Sequence, residues 1–373
     1  MFPLINDLKI ALQILNDNGF EAYLVGGAIR DYYFNVKTND YDVTTNANTD
    51  EIIDVFKDYK TKLYSSKKTV LVKIGETHIE ITPFRGDNLI SDLKFRDYTI
   101  NSIAVDINSN IYDPLNGRLD INNKILRPSY NLSDMISIDP LRILRGIRLI
   151  SVYNLSYDNE LKDYFINNVS LLNEVIDSRF RDELDKILVS NKPSNVIREF
   201  KEVFYYFFPN LRNCYKFDQR NTKWHHLDVF EHILLVLDST KPNLATRYAA
   251  LFHDIDKPLS FTLDSDNVGH FYGHFKLSRD TAVKYLFKLH YPKKFITLVA
   301  KLIYYHDRRF SFENESIDNF IEDFGDDEEE LKMIFDLMAA DIKGQNPKLL
   351  SRLNDLDKYF KVALDIARLR RER

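Results

Sequence analysis

Three carboxylates in the first quarter of the chain are spaced so that they could share a metal ion. Asp40 and Asp42 stand two residues apart in the segment NDYDVTT, and side chains two apart on a strand face the same side. Because adjacent carboxylates repel each other unless a cation lies between them, the pair predicts a hard divalent ion such as Mg²⁺. Glu80, in the alternating segment HIEITPF, is the candidate third carboxylate. We therefore predict Asp40, Asp42 and Glu80 as catalytic residues, with Asp40 and Asp42 as metal ligands.

A glycine turn precedes this pair. The segment YLVGGAIRD has the pattern of a strand, a turn and a helix, and Gly26 and Gly27 allow backbone N–H groups to approach an anion closely. The glycine turn and the carboxylates together suit the metal-assisted transfer of a nucleotidyl group. In that chemistry two ions would activate an attacking hydroxyl and stabilise the leaving pyrophosphate.

The elements that must position these residues change character along the chain. Up to about residue 127, helical segments mix with the strand-like runs YLVGG, DYDVTT, TVLVKIG, HIEITPF and SIAVDI. From residue 139 onward apolar residues recur at helical spacing, as in LRILRGIRLI and RDELDKILVS, which predicts helices. The N-terminal MFPLINDLKIALQILND is predicted to be a helix of the mature protein. Connecting loops are expected near Pro128 and at 216–223.

Composition narrows the class of protein. The 373 residues are 44% hydrophobic and 29% charged, which is typical of a soluble globular chain of two or three folding units. The net charge of −5 argues against nonspecific coating of nucleic acid. A single cysteine, Cys214, excludes an intrachain disulfide framework and a cysteine-rich zinc ribbon. With no apolar stretch of about 20 residues, we expect a cytoplasmic protein without a membrane partner.

Two further segments complete a family pattern: KFRDYTINSIAVD at 94–106 and IDPLRILRGIRLI at 138–150. With LVGGAIRD and the aspartate pair, they resemble the class II tRNA nucleotidyltransferases, which build the CCA end of tRNA, and their poly(A) polymerase relatives. The resemblance covers roughly residues 5–215. It implies an α+β fold, in which a polymerase β-like mixed-sheet head is followed by an all-helical neck. It also implies that C and A are added to the tRNA 3′ end from CTP and ATP.

The resemblance also implies roles for particular residues. Gly26, Gly27 and Arg30 would hold the triphosphate, and Arg96 and Asp97 the ribose. The full set of implied nucleotide-binding residues is Gly26, Gly27, Arg30, Arg96, Asp97, Asn101, Asp139, Arg142, Arg145 and Arg148.

Selection of the base is assigned to Asp139 and Arg142. Positions three apart on a helix share a face, so the carboxylate could accept from the exocyclic amine of cytosine or adenine. The guanidinium would donate to a neighbouring ring acceptor. Arg145 and Arg148 continue this spacing toward the triphosphate or the RNA.

A second site is indicated by the histidines, eight of which lie between His225 and His306. The run His253–Asp254, followed by Lys257 and Pro258, resembles the HD phosphohydrolase domain, which implies a helical fold. The metal ligands implied there are His232, His253, Asp254 and Asp341, with His274 and His306 as candidates for phosphate or a second metal. Such ligands suit Mn, Ni, Fe, Zn or Mg, so the pattern does not name the ion. A bound metal would activate water for attack on a phosphoester.

Departures from these patterns keep alternatives open. Phe95, Ile138, Ser178 and Asp256 replace residues usual in the families, and the segment between Arg85 and Arg96 is short. A short segment there is also a feature of enzymes that add only CC. The alternatives are therefore a CC-adding enzyme or poly(A) polymerase, or an HD-type RNA-end phosphohydrolase whose head grips RNA without catalysis.

We predict four segments along the chain: a nucleotidyltransferase head at 1–127, a helical neck at 128–220, an HD domain at 221–345 and a basic helical tail at 346–373. The neck and tail arginines are expected to contact the tRNA backbone. The acidic run at 322–330 and the basic run at 366–373 are interpreted as solvated helix faces. No oligomeric state follows from the sequence.

Overall fold

The computed structural model describes residues 2–64, 68–310 and 314–371. The last two residues of the predicted tail, 372 and 373, lie outside the described residues. The chain divides into two compact units, Met1–Lys162 and Asp163–Arg373. Within the described ranges, no helix combines the length and the apolar character needed to cross a membrane.

The first unit contains a seven-stranded sheet and seven helices among its described residues. Its strands are β1 (Ala22–Val25), β2 (Tyr41–Thr45), β3 (Lys60–Tyr64), β4 (Thr69–Ile74), β5 (Thr77–Pro83), β6 (Ala104–Val105) and β7 (Ile111–Tyr112). Its helices are α1 (Asn6–Asp17), α2 (Gly27–Tyr33), α3 (Thr49–Val55), α4 (Leu89–Lys94), α5 (Gly117–Asn123), α6 (Leu132–Ile138) and α7 (Arg142–Tyr153). The unit boundary falls within α8 (Asn159–Asn167).

The sheet is mixed, as predicted. Its strand order is β3-β4-β5-β2-β1-β6-β7, and β2 with β5 is a parallel pair while the other pairs are antiparallel. Two strands, β3 and β7, were not predicted. Four of the five residues of β3 are exposed, so this edge strand has no buried alternating pattern for the sequence to display. The strand β7 has only two residues.

The N-terminal helix is confirmed as α1. It buries Leu8, Leu12 and Leu15, one apolar stripe at helical spacing, and it contacts β1, β2 and β4. The two strands that position the predicted carboxylates and the glycine turn, β2 and β1, therefore lie in the interior of the sheet and pack against α1.

The second unit is helical, as predicted, except for one hairpin. Its remaining helices are α9 (Asp177–Leu188), α10 (Pro193–Glu199), α11 (Lys201–Phe207), α12 (Asn210–Cys214), α13 (Val229–Ser239), α14 (Leu244–Phe252), α15 (His274–Lys288), α16 (Lys293–Tyr305), α17 (Asn314–Phe324), α18 (Glu328–Gly344) and α19 (Arg352–Arg371). The strands β8 (Phe261–Leu263) and β9 (Gly269–Phe271) form an antiparallel pair of three residues each. Such short strands are below the length at which periodicity separates strand from helix.

The basic and acidic runs of this unit meet. On α19, Arg368 lies 3.3 Å from Glu328 and Arg370 lies 3.7 Å from Asp318, while Arg371 donates to the backbone oxygen of Asp326. Arginines that were expected to contact tRNA are thus already paired with carboxylates or carbonyl groups of their own unit.

Candidate active sites

The carboxylates of the first unit are placed by strand register. Asp42 of β2 lies opposite Glu80 of the parallel strand β5 and opposite Val25 of β1. Residues paired across neighbouring strands face the same side of a sheet, so Asp42 and Glu80 face one side together. Asp40 precedes β2 and is exposed, whereas Asp42 is half-buried.

The electrostatic environment of Asp42 fits a bound cation. Burial raises the pKa of the Asp42 carboxyl to about 6; the Arg96 guanidinium opposes this rise, and the neighbouring Asp40 and Glu80 carboxylates add to it. An acidic site made of carboxylate oxygens matches the ligand preference of Mg²⁺. In the described part of this unit, three ligand atoms do not come within 4.8 Å of one another. Glu80 as a third participant therefore remains a prediction.

Gly26 lets the turn before α2 approach Asp42. Its φ is +76°, and a Cβ built on it would lie 3.3 Å from Oδ2 of Asp42 and 3.4 Å from Nη1 of Arg96. A side chain would therefore crowd the carboxylate and strain the backbone. Gly27 begins α2, and a Cβ there would lie 3.4 Å from Nη2 of Arg30.

Arg96 is held beside this turn by a residue that sequence reasoning missed. Its Nε and Nη2 donate to Oδ2 of Asp92 at 3.1 and 2.8 Å, and both side chains are buried. The signal was available, because Asp92 and Arg96 are four residues apart. Asp92 also accepts a hydrogen bond from the backbone N–H of Arg85, at 3.2 Å.

Four predicted residues form one chain of polar contacts, of which Arg30, Asp97 and Asn101 are buried and Arg145 is half-buried. Asp97 accepts from Asn101 Nδ2 at 2.8 Å and lies 2.9 Å from Nη1 of Arg145. Asn101 in turn accepts from Arg30, whose guanidinium also pairs with Asp31 at 2.7 Å. Burial alone would raise the pKa of Asp97, but Arg145 and the Asn101 hydrogen bond hold it well below its usual range.

The helical premise used for Asp139 and Arg142 is wrong. Asp139 is the extended C-cap residue of α6, and α7 begins only at Arg142, because Pro140 cannot continue the preceding helix. The two residues remain adjacent through a turn in which the Arg142 N–H donates to the Asp139 carbonyl at 3.0 Å.

Arg142 is oriented by Tyr130 and Phe95. Its Nη1 donates to the Tyr130 hydroxyl at 2.8 Å, and its Nη2 donates to the Phe95 carbonyl at 3.3 Å. Tyr130 was not identified from the sequence. The Phe95 ring, one of the departures from the family pattern, is 47% exposed and packs edge-on against Tyr130. Arg148 is half-buried, six residues after Arg142 on α7.

The predicted histidines of the second unit converge with one common orientation. In each ring, Nδ1 lies within hydrogen-bonding distance of a backbone carbonyl: 3.0 Å for His232, 2.8 Å for His253 and His274, and 2.7 Å for His306. If each Nδ1 donates to its carbonyl, the Nε2 lone pair is free to face the centre. This arrangement is the one found in metal-ligating histidines.

The Nε2 atoms surround two carboxylates. Nε2 of His232 lies 3.0 Å from Oδ1 of Asp341, 3.3 Å from Oδ2 of Asp254 and 3.1 Å from Nε2 of His253. His274 and His306 both face Oδ1 of Asp254, at 3.2 and 3.7 Å. Two groups of three gather their ligand atoms within 4.8 Å: His232, His253 and Asp341, and His253, Asp254 and His306.

This donor set fits a divalent metal. Asp254 Oδ1 is buried and makes no hydrogen bond within the described ranges, although His274 Nε2 lies 3.2 Å away. Burial lowers the pKa of His232, but hydrogen bonds to Asp254 and Asp341 outweigh it and raise that pKa to about 9. Without a metal, a proton thus takes the place of the cation.

Residues around the cluster complete its environment. Lys257 places its Nζ 2.9 Å from Oδ2 of Asp254. Asp256, the departure from the HD pattern, accepts hydrogen bonds from Asn210 and Thr281 and is buried away from the cluster centre. Gln345, which was not predicted, donates to Oδ2 of Asp341 at 2.6 Å.

Two family patterns match the chain. Residues 22–127 match the Poly A polymerase head domain, and residues 225–342 match the HD domain. Among curated relatives, the CC-adding tRNA nucleotidyltransferase of Shouchella clausii is 37% identical over 178 residues, 48% of this chain and 47% of the relative. The CCA-adding enzyme of Staphylococcus haemolyticus is 31% identical over 266 residues, 65% and 64% of the two chains. The chain thus spans about half to two thirds of the length of these relatives.

Solved structures confirm the fold over nearly the whole chain. The Bacillus stearothermophilus CCA-adding enzyme in complex with CTP aligns with 95% of this chain and 82% of its own, at a TM-score of 0.69 and 22% identity. The Thermotoga maritima CCA-adding enzyme complexed with tRNA aligns with 96% and 81%, at a TM-score of 0.61 and 17% identity. The resemblances predicted from the sequence are confirmed by the matches to the head domain and to the HD domain.

Proposed function

Because this chain carries a poly A polymerase-type head, an HD domain and the fold of CCA-adding enzymes, we propose that it adds C and A nucleotides to the 3′ end of tRNA. The observation that carries the proposal is the register of Asp42 with Glu80, beside the Gly26 turn. Asp40 and Asp42 would hold Mg²⁺, which when bound supplies a Lewis acid for phosphoryl oxygens.

The remaining residues would bind and orient the nucleotide. Arg96, fixed by Asp92, lies beside Asp42, and its guanidinium would donate hydrogen bonds to the ribose. Asp97, fixed by Arg145 and Asn101, keeps an ionised carboxylate that can accept a hydrogen bond from a ribose hydroxyl. Such positioning lowers the entropic cost of bringing the two reactants together.

Base choice would depend on the turn between α6 and α7. A carboxylate at Asp139 accepts from the amine of cytosine or adenine, whereas uracil and guanine present a carbonyl there. Arg142, held by Tyr130, would donate to the neighbouring acceptor. A missed contact of this kind costs about 1–3 kcal/mol, which is enough to discriminate between bases without a template.

The test uses tRNA that lacks its 3′ terminus and one labelled nucleotide at a time. We expect incorporation from CTP alone, and incorporation from ATP only after CTP has been used. Addition of C without A would support the CC-adding alternative, which the short segment after Arg85 and the Shouchella clausii relative favour. Long A tracts would identify a poly(A) polymerase, and no addition of any nucleotide would refute the proposal.

A second activity is favoured by the histidine cluster. We propose that the HD domain is a metal-dependent phosphohydrolase acting on phosphoesters at RNA ends, because four Nε2 atoms and two carboxylates meet around one centre. The ligands would be His232, His253, Asp254 and Asp341, holding Mn, Ni, Fe, Zn or Mg.

The matched test compares His253→Ala with His290→Asn, which changes an exposed histidine outside the cluster. Opening of a 2′,3′-cyclic phosphate should be lost in His253→Ala and retained in His290→Asn, while nucleotide addition persists in both. Full phosphodiesterase activity in metal-depleted protein would contradict this second proposal.

A further inference from the structure

The histidine cluster opens into a cavity of about 360 Å³. This volume lies within the range of roughly 300–1,000 Å³ that is usual for small-molecule sites. Its wall includes Lys257, Asp254 and Asp341 from the cluster, and residues from three places that the metal site does not use. These are Trp224 before α13, Tyr272 after β9 and the pair of Arg309 and Arg352.

Two arginines are held at the cavity by one tryptophan. The guanidinium carbons of Arg309 and Arg352 lie 4.9 and 5.4 Å from the centroid of the Trp224 ring. Contacts of this kind pre-orient a planar guanidinium while leaving its N–H groups available to an anion. Arg352 is the first residue of α19, so the predicted tail contributes to this cavity.

The described wall holds as many cations as carboxylates, but two of its cations lie together on the Trp224 ring. Apart from the two cluster carboxylates, the described lining contains three permanent cations, Lys257, Arg309 and Arg352, and one carboxylate, Asp307. Arg352 also donates to Gln345 at 2.8 Å, and Gln345 donates to Asp341 at 2.6 Å. Arg352 therefore lies two hydrogen bonds from a predicted metal ligand, and an anion that it binds would lie three away.

An aromatic surface stands at the edge of the same cavity. The Tyr272 ring is 77% exposed and stacks on His270, with centroids 5.4 Å apart and an interplanar angle of 6°. Nε2 of His270 lies 2.8 Å from Asp264, which fixes the orientation of the stack. An exposed ring of fixed orientation can stack a nucleobase, an interaction of about 1–3 kcal/mol.

We propose that this cavity binds a nucleoside phosphate, with its phosphate between Arg309 and Arg352 and its base on Tyr272. The inference deepens the proposed phosphohydrolase function, because it assigns the substrate class and the residues that recognise it. The same chemistry is offered by a free mononucleotide and by the terminal nucleotide of an RNA.

Trp224 is the only tryptophan of the chain and lines this cavity, so its fluorescence responds to a ligand bound there. We would titrate the metal-depleted full chain with adenosine 2′,3′-cyclic phosphate, adenosine, inorganic phosphate and a short RNA ending in a cyclic phosphate, and follow tryptophan fluorescence. Saturable binding of the nucleotide is expected, with adenosine and phosphate each binding at least about tenfold more weakly. Comparison of the mononucleotide with the RNA identifies the natural source of the ligand.

Three variants and one control test the assignment. Arg309→Met and Arg352→Met should each weaken nucleotide binding about tenfold or more, because each removes charged hydrogen bonds. Tyr272→Ala should weaken binding of the nucleotide but not of phosphate. Lys361→Met, which removes an exposed cation from the same helix as Arg352, should leave both affinities unchanged.

The outcomes separate this inference from the function on which it rests. The proposed nucleotide pocket would be refuted if nucleotide and phosphate bound with equal affinity. It would also be refuted if neither arginine substitution changed nucleotide binding. Nucleotide binding that depends on both arginines, without hydrolysis after metal is restored, would support the pocket and refute the phosphohydrolase. Hydrolysis by Arg352→Met with an unchanged KM would support the phosphohydrolase and refute the pocket.

Discussion

Removing the charge of Asp42 should stabilise the metal-free protein while abolishing nucleotide addition. The pKa of Asp42 is raised from its ordinary 3.8 to about 6, chiefly by burial. Each pKa unit corresponds to about 1.4 kcal/mol, so the ionised carboxylate costs the fold up to about 3 kcal/mol above pH 6. Asparagine keeps the size of the side chain without its charge. We expect Asp42→Asn to gain about 1–3 kcal/mol, because a buried amide still needs partners.

The pH dependence has a defined sign. Below the unfolded pKa of about 3.9 the aspartate is neutral in both states, so the advantage of Asp42→Asn should vanish. It should grow as pH rises from about 3.9 to about 6, where the unfolded carboxylate is ionised and the folded one is still protonated, and it should level off above pH 6. Mg²⁺ should stabilise the unsubstituted protein and not the variant, since a ligand stabilises only the state that binds it.

The assay is urea unfolding of the metal-free full chain, followed by circular dichroism at several pH values, with hydrogen exchange of β2 to locate the effect. Asp58→Asn, which changes an exposed aspartate of the same unit, is the control and should show no such pH-dependent gain. A variant less stable than the unsubstituted protein at pH 7, or a difference independent of pH, would refute the electrostatic reasoning.

Three further predictions concern other parts of the two sites. Arg145→Met should lower the free energy of unfolding by about 1–3 kcal/mol at pH 7, because it leaves buried Asp97 without its cation. Thermal unfolding should show a smaller difference below pH 4, where Asp97 becomes protonated in the unfolded state. Gly26→Ala should abolish addition, whereas Gly19→Ala, also at positive φ but with open space around it, should cost similar stability and retain activity in the same incorporation assay. Metal binding at neutral pH should release about one proton from His232, which calorimetry in two buffers of different ionisation enthalpy can measure. A metal affinity that does not decrease when the pH is lowered would contradict this expectation.

Much of the fold followed from the sequence because its patterns are local. The spacing of apolar residues alone predicts the buried faces of these elements, as in the Leu8–Leu12–Leu15 stripe of α1 and the alternating strands β4 and β5. The edge strand β3 and the hairpin of β8 and β9 were missed, since the first is mostly exposed and the second is too short to show a period.

The sequence predicted individual site residues but not the hydrogen-bond partners that orient them. Spacing indicated Asp40, Asp42 and the histidine cluster. In the structure, Asp42 lies opposite Glu80, and the ligand atoms of the histidine cluster gather in two groups of three. The residues that orient them belong to other segments. Tyr130 beside Arg142 and Gln345 beside Asp341 are such cases, and tertiary contacts of this kind leave no periodic signal.

The placement of charge was the least predictable feature. The basic end of α19 was interpreted as a solvated helix face and predicted to contact tRNA; in the structure Arg368 and Arg370 pair with carboxylates of neighbouring helices. The first residue of the same helix, Arg352, lines the cavity beside the histidine cluster. Composition gives the sign of a segment's charge but does not identify the group that neutralises it.

The most direct test of the account is incorporation of labelled CMP and AMP into tRNA lacking its 3′ terminus, by the unsubstituted protein and by the Asp40→Asn/Asp42→Asn double variant. The unsubstituted protein should extend the tRNA and the folded variant should not. Extension by the double variant at the rate of the unsubstituted protein would show that these carboxylates do not hold the catalytic ions.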